Sequence, residues 1–234
     1  MQHDRVTRNR FTRRAIVGFL LLPGRPCQPG AAGSDWRHER GPMSEGKERE
    51  GAGTGGKGPP ATHAFERRIP EGDGQLRLVC RDCGFIAYEN PKVVVGSVCR
   101  WEGKILLCRR AINPRNGFWT LPAGYMELNE TSLEGAQREA WEEARASIEI
   151  ERLLAVYNIP RLSQVQLIYV ARLLSPAVEA GPESAEVGLF DWSEIPWPDL
   201  AFPSVRWALE HYRAGEGVTH YPVQMNPPGE LGNF

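Results

Sequence analysis

The chain has 234 residues, with 28 lysines and arginines against 29 aspartates and glutamates, and five cysteines. This length allows one sizeable domain with attached segments, and the balanced charge excludes a strongly basic surface for nucleic acid. An odd number of cysteines with one close pair does not make a secreted disulfide framework. We therefore expect a cytoplasmic protein that binds neither nucleic acid nor a membrane.

Residues 1–62 differ in composition from the rest of the chain. The stretch 46–60 is rich in glycine, lysine and glutamate, and it lacks the large apolar side chains that could repay the entropy of ordering. Two arginines precede a short apolar run that stops before Pro23, a pattern similar to an export signal but without a clear cleavage site. The run is too short to span a membrane. We predict a disordered extension, and we favour a translation start at Met43, or a tail without function, over export.

Residues 63–90 contain one Cys-x-x-Cys pair, Cys80 and Cys83. A closed structural zinc site needs four ligands, which usually come from two such pairs. His63 is the only nearby substitute for the missing pair, so one ligand would still be absent. The sequence therefore favours a metal-free turn with two thiols over bound zinc.

Two apolar runs, 92–101 and 104–109, follow and are separated by Glu102 and Gly103. Runs of this kind around a two-residue turn predict a β-hairpin. Arg109 and Arg110 end the second strand close to the following glycine loop, so either guanidinium could bind a diphosphate. The alternative is that both side chains are simply solvated at the strand end.

A cluster of acids comes next. Between Glu127 and Glu149 the chain has seven acidic residues against two arginines. At about 100° per residue, Glu139, Glu142 and Glu143 fall within one arc of a helix, opposite an apolar stripe. Carboxylate oxygens that converge without histidine or cysteine suit Mg²⁺ or Mn²⁺ rather than zinc. A solvated, salt-bridged helix face is the alternative.

The start of this helix is marked in the sequence. Thr131 and Glu134 form a capping-box pattern, in which a hydroxyl and a carboxylate satisfy free amides at the helix N-terminus. We therefore expect the helix to begin near Ser132. The preceding run 119–124 should be a strand end that turns through proline and glycine, bringing backbone close to the acids.

The spacing of these residues resembles a known signature. Gly124, five residues, Glu130, seven residues and then the run 138–143, Arg-Glu-Ala-Trp-Glu-Glu, resemble the motif of the Nudix hydrolases, which cleave nucleoside diphosphates linked to another moiety. The family motif continues with a glycine and an aliphatic residue, where this chain has Arg145 and Ala146. That departure concerns the C-terminal cap of the helix, which glycine usually forms, rather than the acids.

The resemblance implies roles for the residues of the motif. The metal ligands would be Glu139, Glu142 and Glu143, supported by Glu130 and by the backbone carbonyl of Gly124. Arg138 would orient these carboxylates through charge-assisted hydrogen bonds, an ordinary surface ion pair with Glu142 being the alternative. The expected catalytic residues are Glu143, Glu142 and Arg138.

The general base and the substrate contacts are less well defined by the motif. Glu143 is one candidate base, and a downstream acid, Glu183 or Glu186, is the rival. The expected substrate-binding residues are Arg109, Arg110, Trp119 and Glu127. Three aromatic residues could stack on an adenine or flavin ring, although aromatic residues in strands more often belong to a core; they are Trp119, Tyr157 and Tyr169.

The remaining segments complete the predicted fold. Strands are expected at 147–151, 153–157, 164–172 and 186–192, followed by a helix at 202–212 that begins with a proline. The resemblance implies an α/β protein with the Nudix-type α/β/α sandwich and a mixed sheet. The predicted domains are a disordered extension (1–62), a degenerate, half zinc-ribbon-like segment (63–90), the Nudix domain (91–214) and an irregular tail (215–234) that could lie against a partner subunit.

The half ribbon and the run Leu121-Pro122-Ala123-Gly124 resemble the subgroup that acts on ADP-ribose and FAD. The implied function is divalent-metal-dependent cleavage of the pyrophosphate bond in FAD or ADP-ribose, with release of AMP and without a choice between the two. The alternative is a non-catalytic Nudix-like module that binds such a nucleotide, but retention of every acid in the motif favours an enzyme. Resemblance also makes a homodimer possible.

Overall fold

The computed structural model describes residues 64–232. The chain divides between Tyr88 and Glu89 into two compact units. The predicted disorder of residues 1–62, the export-like run and His63 lie outside the described residues. No helix within residues 64–232 is long and apolar enough to cross a lipid bilayer. The cytoplasmic location and the homodimer stay predictions from the sequence.

The first unit is a small antiparallel sheet in the order β1 (Phe65–Arg68), β2 (Arg77–Cys80) and β3 (Ile86–Ala87). Cys80 is buried at the end of β2, whereas Cys83 is exposed in the following turn, and neither forms a disulfide. Gly84 N donates to Cys80 O at 2.9 Å, and Gly84 has a φ of +73°, which favours glycine. The two thiols thus lie at a tight turn, and the expectation that this turn binds no zinc stays a prediction from the sequence.

The second unit is built on a seven-stranded sheet. Its strands are β4 (Lys92–Trp101), β5 (Lys104–Arg110), β6 (Trp119–Thr120), β7 (Ala123–Tyr125), β8 (Ile148–Ile159), β9 (Gln164–Leu173) and β10 (Ser184–Phe190). The order is β10-β5-β4-β9-β8, with β6 beside β5 and β7 beside β4. Because β4 and β9 are parallel while the other pairs are antiparallel, the sheet is mixed, as predicted. The expected hairpin turn is present, with positive φ at both Glu102 and Gly103.

Two helices, α1 (Ser132–Ala144) and α2 (Pro203–Ala214), cover the sheet. Successive side chains of a strand point to opposite faces. Accordingly, Leu106 packs in the cluster that contains Ala140 and Ala144 of α1, whereas Leu107 packs in the cluster that contains Trp207 of α2. The predicted α/β/α sandwich is therefore confirmed. Three short 3₁₀ turns, Pro160–Leu162, Trp192–Glu194 and Trp197–Asp199, connect the later elements.

Both ends of α1 have defined caps. The predicted capping box is present, with Thr131 and Glu134 bonded reciprocally, and the helix begins at Ser132. It ends at Ala144 because Arg145 adopts the left-handed conformation, with φ 51° and ψ 24°. The Arg145 guanidinium lies over the ring of Trp141, 5.8 Å from its centroid. The helix thus terminates where a glycine would end it, although this chain has arginine there.

The C-terminal segment is attached to the outer strand of the sheet. Gln224 N donates to Leu154 O and Val156 N donates to Gln224 O, both at 2.9 Å. The side chain of Asn226 accepts from Asn158 N through Oδ1 and donates to Asn158 O through Nδ2, both at 2.8 Å. The tail is irregular, as predicted, but it lies along β8 of its own domain.

Candidate active site

A cavity of about 910 Å³ lies in the second unit. This volume is within the usual range of small-molecule sites, about 300–1,000 Å³. Five of the glutamates considered above line it, namely Glu127, Glu139, Glu142, Glu143 and Glu183. The cavity therefore gathers acids from the loop before α1, from α1 itself and from the segment before β10.

Arg138 donates hydrogen bonds to several acids on the side of the cavity that carries the motif glutamates, called the acidic side below. Its guanidinium donates two bonds to Glu130, one each to Glu139 and Glu142, and one to the carbonyl of Tyr125, at 2.7–3.0 Å. These bonds hold three carboxylates of the motif around one cation. Arg138 therefore lies where the predicted orienting role requires it, since the side chain contacts far more than its i,i+4 neighbour Glu142.

Glu139 occupies space that a side chain at Gly124 would fill. A Cβ at Gly124 would lie 2.4 Å from Glu139 Oε1, closer than real Cβ contacts come. Burial raises the pKa of Glu139, although the bond from Arg138 acts in the opposite direction. The glycine that opens the motif is thus needed for close approach rather than for an unusual backbone conformation.

Glu143 is the most enclosed acid of the cavity. It is 6% exposed, and its Oε2 accepts from Ala123 N at 3.1 Å. Burial raises the pKa of Glu143 to about 8, and the nearby charge of Glu139 adds to the effect. The Glu142 side chain, by contrast, is 54% exposed. Of the three expected metal ligands on α1, Glu139 and Glu143 are therefore buried against β7, whereas Glu142 reaches solvent.

Glu130 is fixed by the loop that carries it. Glu127 N donates to Glu130 Oε1 at 2.7 Å, and the bonds from Arg138 lower the pKa of Glu130 to about 2. A Cβ at Gly135 would lie 2.6 Å from Glu130 Oε1, so a larger residue at this position of α1 would displace the Glu130 carboxylate. Reasoning from the sequence did not assign Gly135 a role, because nothing in the spacing shows which side chain approaches it.

The donor set fits a hard divalent cation. Hard divalent cations are bound by oxygen ligands, and the acids that line the cavity supply carboxylate oxygens. No histidine or cysteine is among the described residues that line it. Within residues 64–232 no three His, Cys, Asp or Glu side chains are gathered as a metal-binding group. Arg138 donates hydrogen bonds to Glu130, Glu139 and Glu142, so a cation would compete with the guanidinium for these carboxylates.

The structure separates the two candidate arginines of β5. Arg110 lines the cavity, with Nε donating to Pro114 O at 2.9 Å and its guanidinium 5.3 Å from the ring centroid of Phe202. Arg109 does not line the cavity, and it contacts Gly117 O and Glu186 instead. Adjacent residues of a strand point to opposite faces, which accounts for the difference.

The predicted aromatic contacts lie outside the cavity. Trp119 packs edge-on against Phe190, at 4.9 Å between ring centroids. Tyr157 is fully buried and bonds His211 through its hydroxyl, while the Tyr169 hydroxyl bonds Ser132. All three are therefore packed within the fold, the alternative that the sequence left open. The substrate-binding assignment of Trp119, like that of Arg109, stays a prediction.

The segment before β10 reaches the C-terminal end of α1. Gly181 N donates to Glu143 O at 3.0 Å, and a Cβ at Gly181 would lie only 1.7 Å from Glu142 O. This contact brings Glu183 to the cavity, whereas Glu186 pairs with Arg109 away from it. Of the two downstream acids considered as general base, only Glu183 is placed near the motif.

Comparisons with known proteins agree with this arrangement. The family model described as NUDIX domain matches residues 90–211, and the one described as Nudix N-terminal matches residues 62–89. The crystal structure of a NUDIX hydrolase from Nitrosomonas europaea is 46% identical, covers 71% of this chain and 96% of its own, and superposes with a TM-score of 0.67. The chain therefore belongs to the Nudix hydrolase family, and the resemblance stated from the motif is confirmed.

Two curated relatives have named activities. The ADP-ribose pyrophosphatase of Methanocaldococcus jannaschii is 30% identical over 134 residues, which are 56% of this chain and 78% of that protein. Phosphatase NudJ of Escherichia coli is 27% identical over 142 residues, which are 58% of this chain and 90% of that protein. The comparisons thus place this chain among hydrolases.

Proposed function

We propose that this protein is a divalent-metal-dependent diphosphatase that hydrolyses the pyrophosphate bond of ADP-ribose or FAD and releases AMP. The observation that carries the proposal is that Arg110 and the acids Glu139, Glu142 and Glu143 line one and the same cavity. A guanidinium suits phosphate oxygens and carboxylates suit a divalent cation, so both needs of a diphosphate substrate are met in one place. The relative named ADP-ribose pyrophosphatase supports the same substrate class.

Glu139, Glu142 and Glu143 would hold the metal, with Glu130 and the Gly124 carbonyl supporting the site. When bound, a divalent cation neutralises phosphate oxygens and lowers the pKa of a water molecule. Water adds to one phosphorus as the bridging P–O bond breaks, so ADP-ribose yields AMP and ribose 5-phosphate, and FAD yields AMP and FMN.

Arg138 and Arg110 would have different tasks. Arg138 is bonded to three carboxylates and to a backbone carbonyl, so it keeps the acids in place rather than meeting the substrate. Arg110 is braced by Pro114 O through Nε, which leaves its terminal nitrogens to bind a diphosphate. Glu127 also lines the cavity and belongs to the proposed substrate contacts.

The proton of the attacking water needs an acceptor, and two glutamates compete for that role. Glu143 is buried beside Glu139, whereas Glu183 is exposed on a segment bonded to the end of α1. A base must reach the water by hydrogen bonding, and both side chains face the same cavity. Glu183→Gln at saturating metal decides between them: a large loss of kcat identifies Glu183 as the base, whereas near-normal kcat leaves Glu143, whose own substitution would also disturb the metal site.

AMP release from a substrate panel tests the proposed activity. Purified full-length chain is incubated with ADP-ribose, FAD, NADH and dinucleoside polyphosphates in Mg²⁺ or Mn²⁺. We expect AMP from ADP-ribose or FAD, with kcat lowered at least about a hundredfold by Glu142→Gln or Glu143→Gln. Glu149→Gln is the matched control, since Glu149 pairs with Arg172 outside the cavity. Wild-type turnover in both active-site variants would refute the mechanism, and nucleotide binding without AMP release would favour a binding module instead.

A further inference from the structure

The cavity contains a second polar group that the hydrolytic chemistry does not use. Gln164 and Gln166 lie two residues apart on β9, so their side chains leave the same face of the sheet. Both line the cavity, as does Tyr125 of β7. The strand pairing brings these residues together, because Val94 of β4 is the register partner of both Tyr125 and Gln166.

Hydrogen bonds connect these three side chains in a row. Gln164 Nε2 donates to the Tyr125 hydroxyl at 3.1 Å, and Gln164 Oε1 accepts from Gln166 Nε2 at 3.5 Å. Within residues 64–232, Gln166 Oε1 accepts no hydrogen bond. The row therefore ends in an amide whose acceptor, and whose second N–H, are available to a ligand.

Apolar side chains flank this amide. Ile168 follows Gln166 by two residues on the same face of β9, and Ile159 is the register partner of Gln164 on β8. Both isoleucines line the cavity, together with Leu162. An uncharged donor and acceptor beside aliphatic walls suit a flat, neutral heterocycle better than a phosphate, which needs cationic partners.

A primary amide presents one donor and one acceptor side by side. Adenine offers the complementary pair, since its N6 amine donates and its N7 accepts, and glutamine binds that edge with two hydrogen bonds. Hypoxanthine has acceptors at both O6 and N7, so it cannot make the same pair. This difference makes the amide capable of distinguishing two bases of nearly the same shape.

We propose that Gln166, held by Gln164 and Tyr125, binds the N6–N7 edge of an adenine base and selects adenine over hypoxanthine nucleotides. The inference rests on the proposed function for the identity of the substrate but not for its test. Adenine is shared by ADP-ribose and FAD, so one base-binding residue would serve either substrate. Gln166 would then be a specificity-determining residue, and Gln164 a positioning residue.

The first experiment measures binding without turnover. Dissociation constants of AMP and IMP for the full chain are determined by calorimetry in the absence of added metal. We expect AMP to bind at least about fivefold more tightly than IMP, because the wrong base leaves a hydrogen-bonding group unpaired. Equal affinities in the wild-type protein would overturn the inference, whatever its hydrolytic activity.

The second experiment uses variants and the two dinucleotides ADP-ribose and IDP-ribose. Gln166→Leu should lower kcat/KM for ADP-ribose about tenfold, mainly through KM, and bring the ratio of the two substrates close to one. Gln164→Leu should have a smaller effect in the same direction. Gln75→Leu is the control, because Gln75 is exposed in the first unit and does not line the cavity.

The outcomes separate this inference from the proposed function. A wild-type chain that prefers AMP to IMP but releases no AMP from any substrate keeps the base-binding role and refutes the diphosphatase. A chain that hydrolyses ADP-ribose and IDP-ribose equally well keeps the diphosphatase and refutes the base-binding role of Gln166. Equal losses on both substrates in Gln166→Leu would show that the amide does not contact the base edge. If that variant does not fold, Gln166→Asn replaces it and should show the same loss of preference.

Discussion

The cavity has an acidic side, formed around Arg138 and the glutamates of the motif, and an amide side, formed around Gln164 and Gln166, and the two are held in place differently. On the acidic side Arg138 alone donates five hydrogen bonds, and a Cβ at Gly124 or Gly135 would displace a glutamate carboxylate. On the amide side two hydrogen bonds connect Gln164 to its neighbours, and aliphatic side chains form the walls. The acidic side is thus fixed by many contacts that tolerate little change, whereas the amide side depends on few contacts that can be altered singly. Variants should therefore impair the chemistry through the first side and the choice of substrate through the second.

Gly124→Ala should have the largest effect on this contrast. The new Cβ would lie 2.4 Å from the Glu139 carboxylate, so the acid must leave its place. We expect kcat to fall at least about a hundredfold, because removal of a metal-binding or charge-orienting group typically costs that much. Gly74→Ala is the control, since no atom lies within 4 Å of a Cβ there. Near-normal kcat in Gly124→Ala would mean that the position of Glu139 is not critical.

Arg110→Ala should have the next largest effect. Loss of a charge-assisted contact to the diphosphate should lower kcat/KM by roughly ten- to a hundredfold, corresponding to about 1.5–3 kcal/mol. The matched control is Arg109→Ala, which removes a neighbouring arginine that contacts Gly117 O and Glu186 outside the cavity. Equal kinetic losses in the two variants would contradict the separation of these residues by the strand.

A pH-dependent effect on stability should arise beneath the amide side. Tyr157, the β8 register partner of Gln166, bonds His211 Nδ1 at 2.7 Å, and burial lowers the pKa of this histidine. Below a pH of about 6.5 the unfolded chain binds the proton more readily than the folded chain, so stability is lost as the pH falls through the folded pKa. We expect a loss below about 1 kcal/mol, measured by urea unfolding between pH 7.5 and 5, because the ring is only partly buried. His211→Gln should flatten this part of the pH profile, and an unchanged slope would exclude His211 as its source.

Arg145→Gly should have the smallest effect. Glycine adopts the left-handed conformation at φ 51° with less strain than arginine does. The substitution also removes the contact between the guanidinium and Trp141, and it raises the conformational entropy of the unfolded chain. The relief of strain slightly exceeds the two losses, so we expect the free energy of unfolding to rise by less than about 1 kcal/mol in thermal or urea melts. A loss of several kcal/mol would instead show that the arginine side chain holds the end of α1.

The sequence predicts the acidic side well because its information is local. The spacing of Gly124, Glu130 and the run 138–143 predicts the motif, and Thr131 with Glu134 predicts where α1 begins, as the structure confirms. Periodicity over one helix is enough to align carboxylates on one face. No knowledge of distant strands is needed for either step.

The amide side could not be predicted in the same way. Gln164 and Tyr125 are 39 positions apart, and they meet only because β9 pairs in parallel with β4, which also pairs with β7. Likewise, the choice between Arg109 and Arg110 depends on which face of β5 borders the cavity. Trp119 illustrates a third limit, since composition cannot distinguish a ring that packs on Phe190 from one that binds a ligand.

The tail along β8 has a practical consequence for handling the protein. Without Gln224 and Asn226, the amides of Val156 and Asn158 would form part of an uncovered strand edge. Uncovered edges of this kind are templates for intermolecular pairing and aggregation. Shortening the chain after Tyr221 should therefore lower its solubility, and an affinity tag that displaces residues 222–232 should have the same effect.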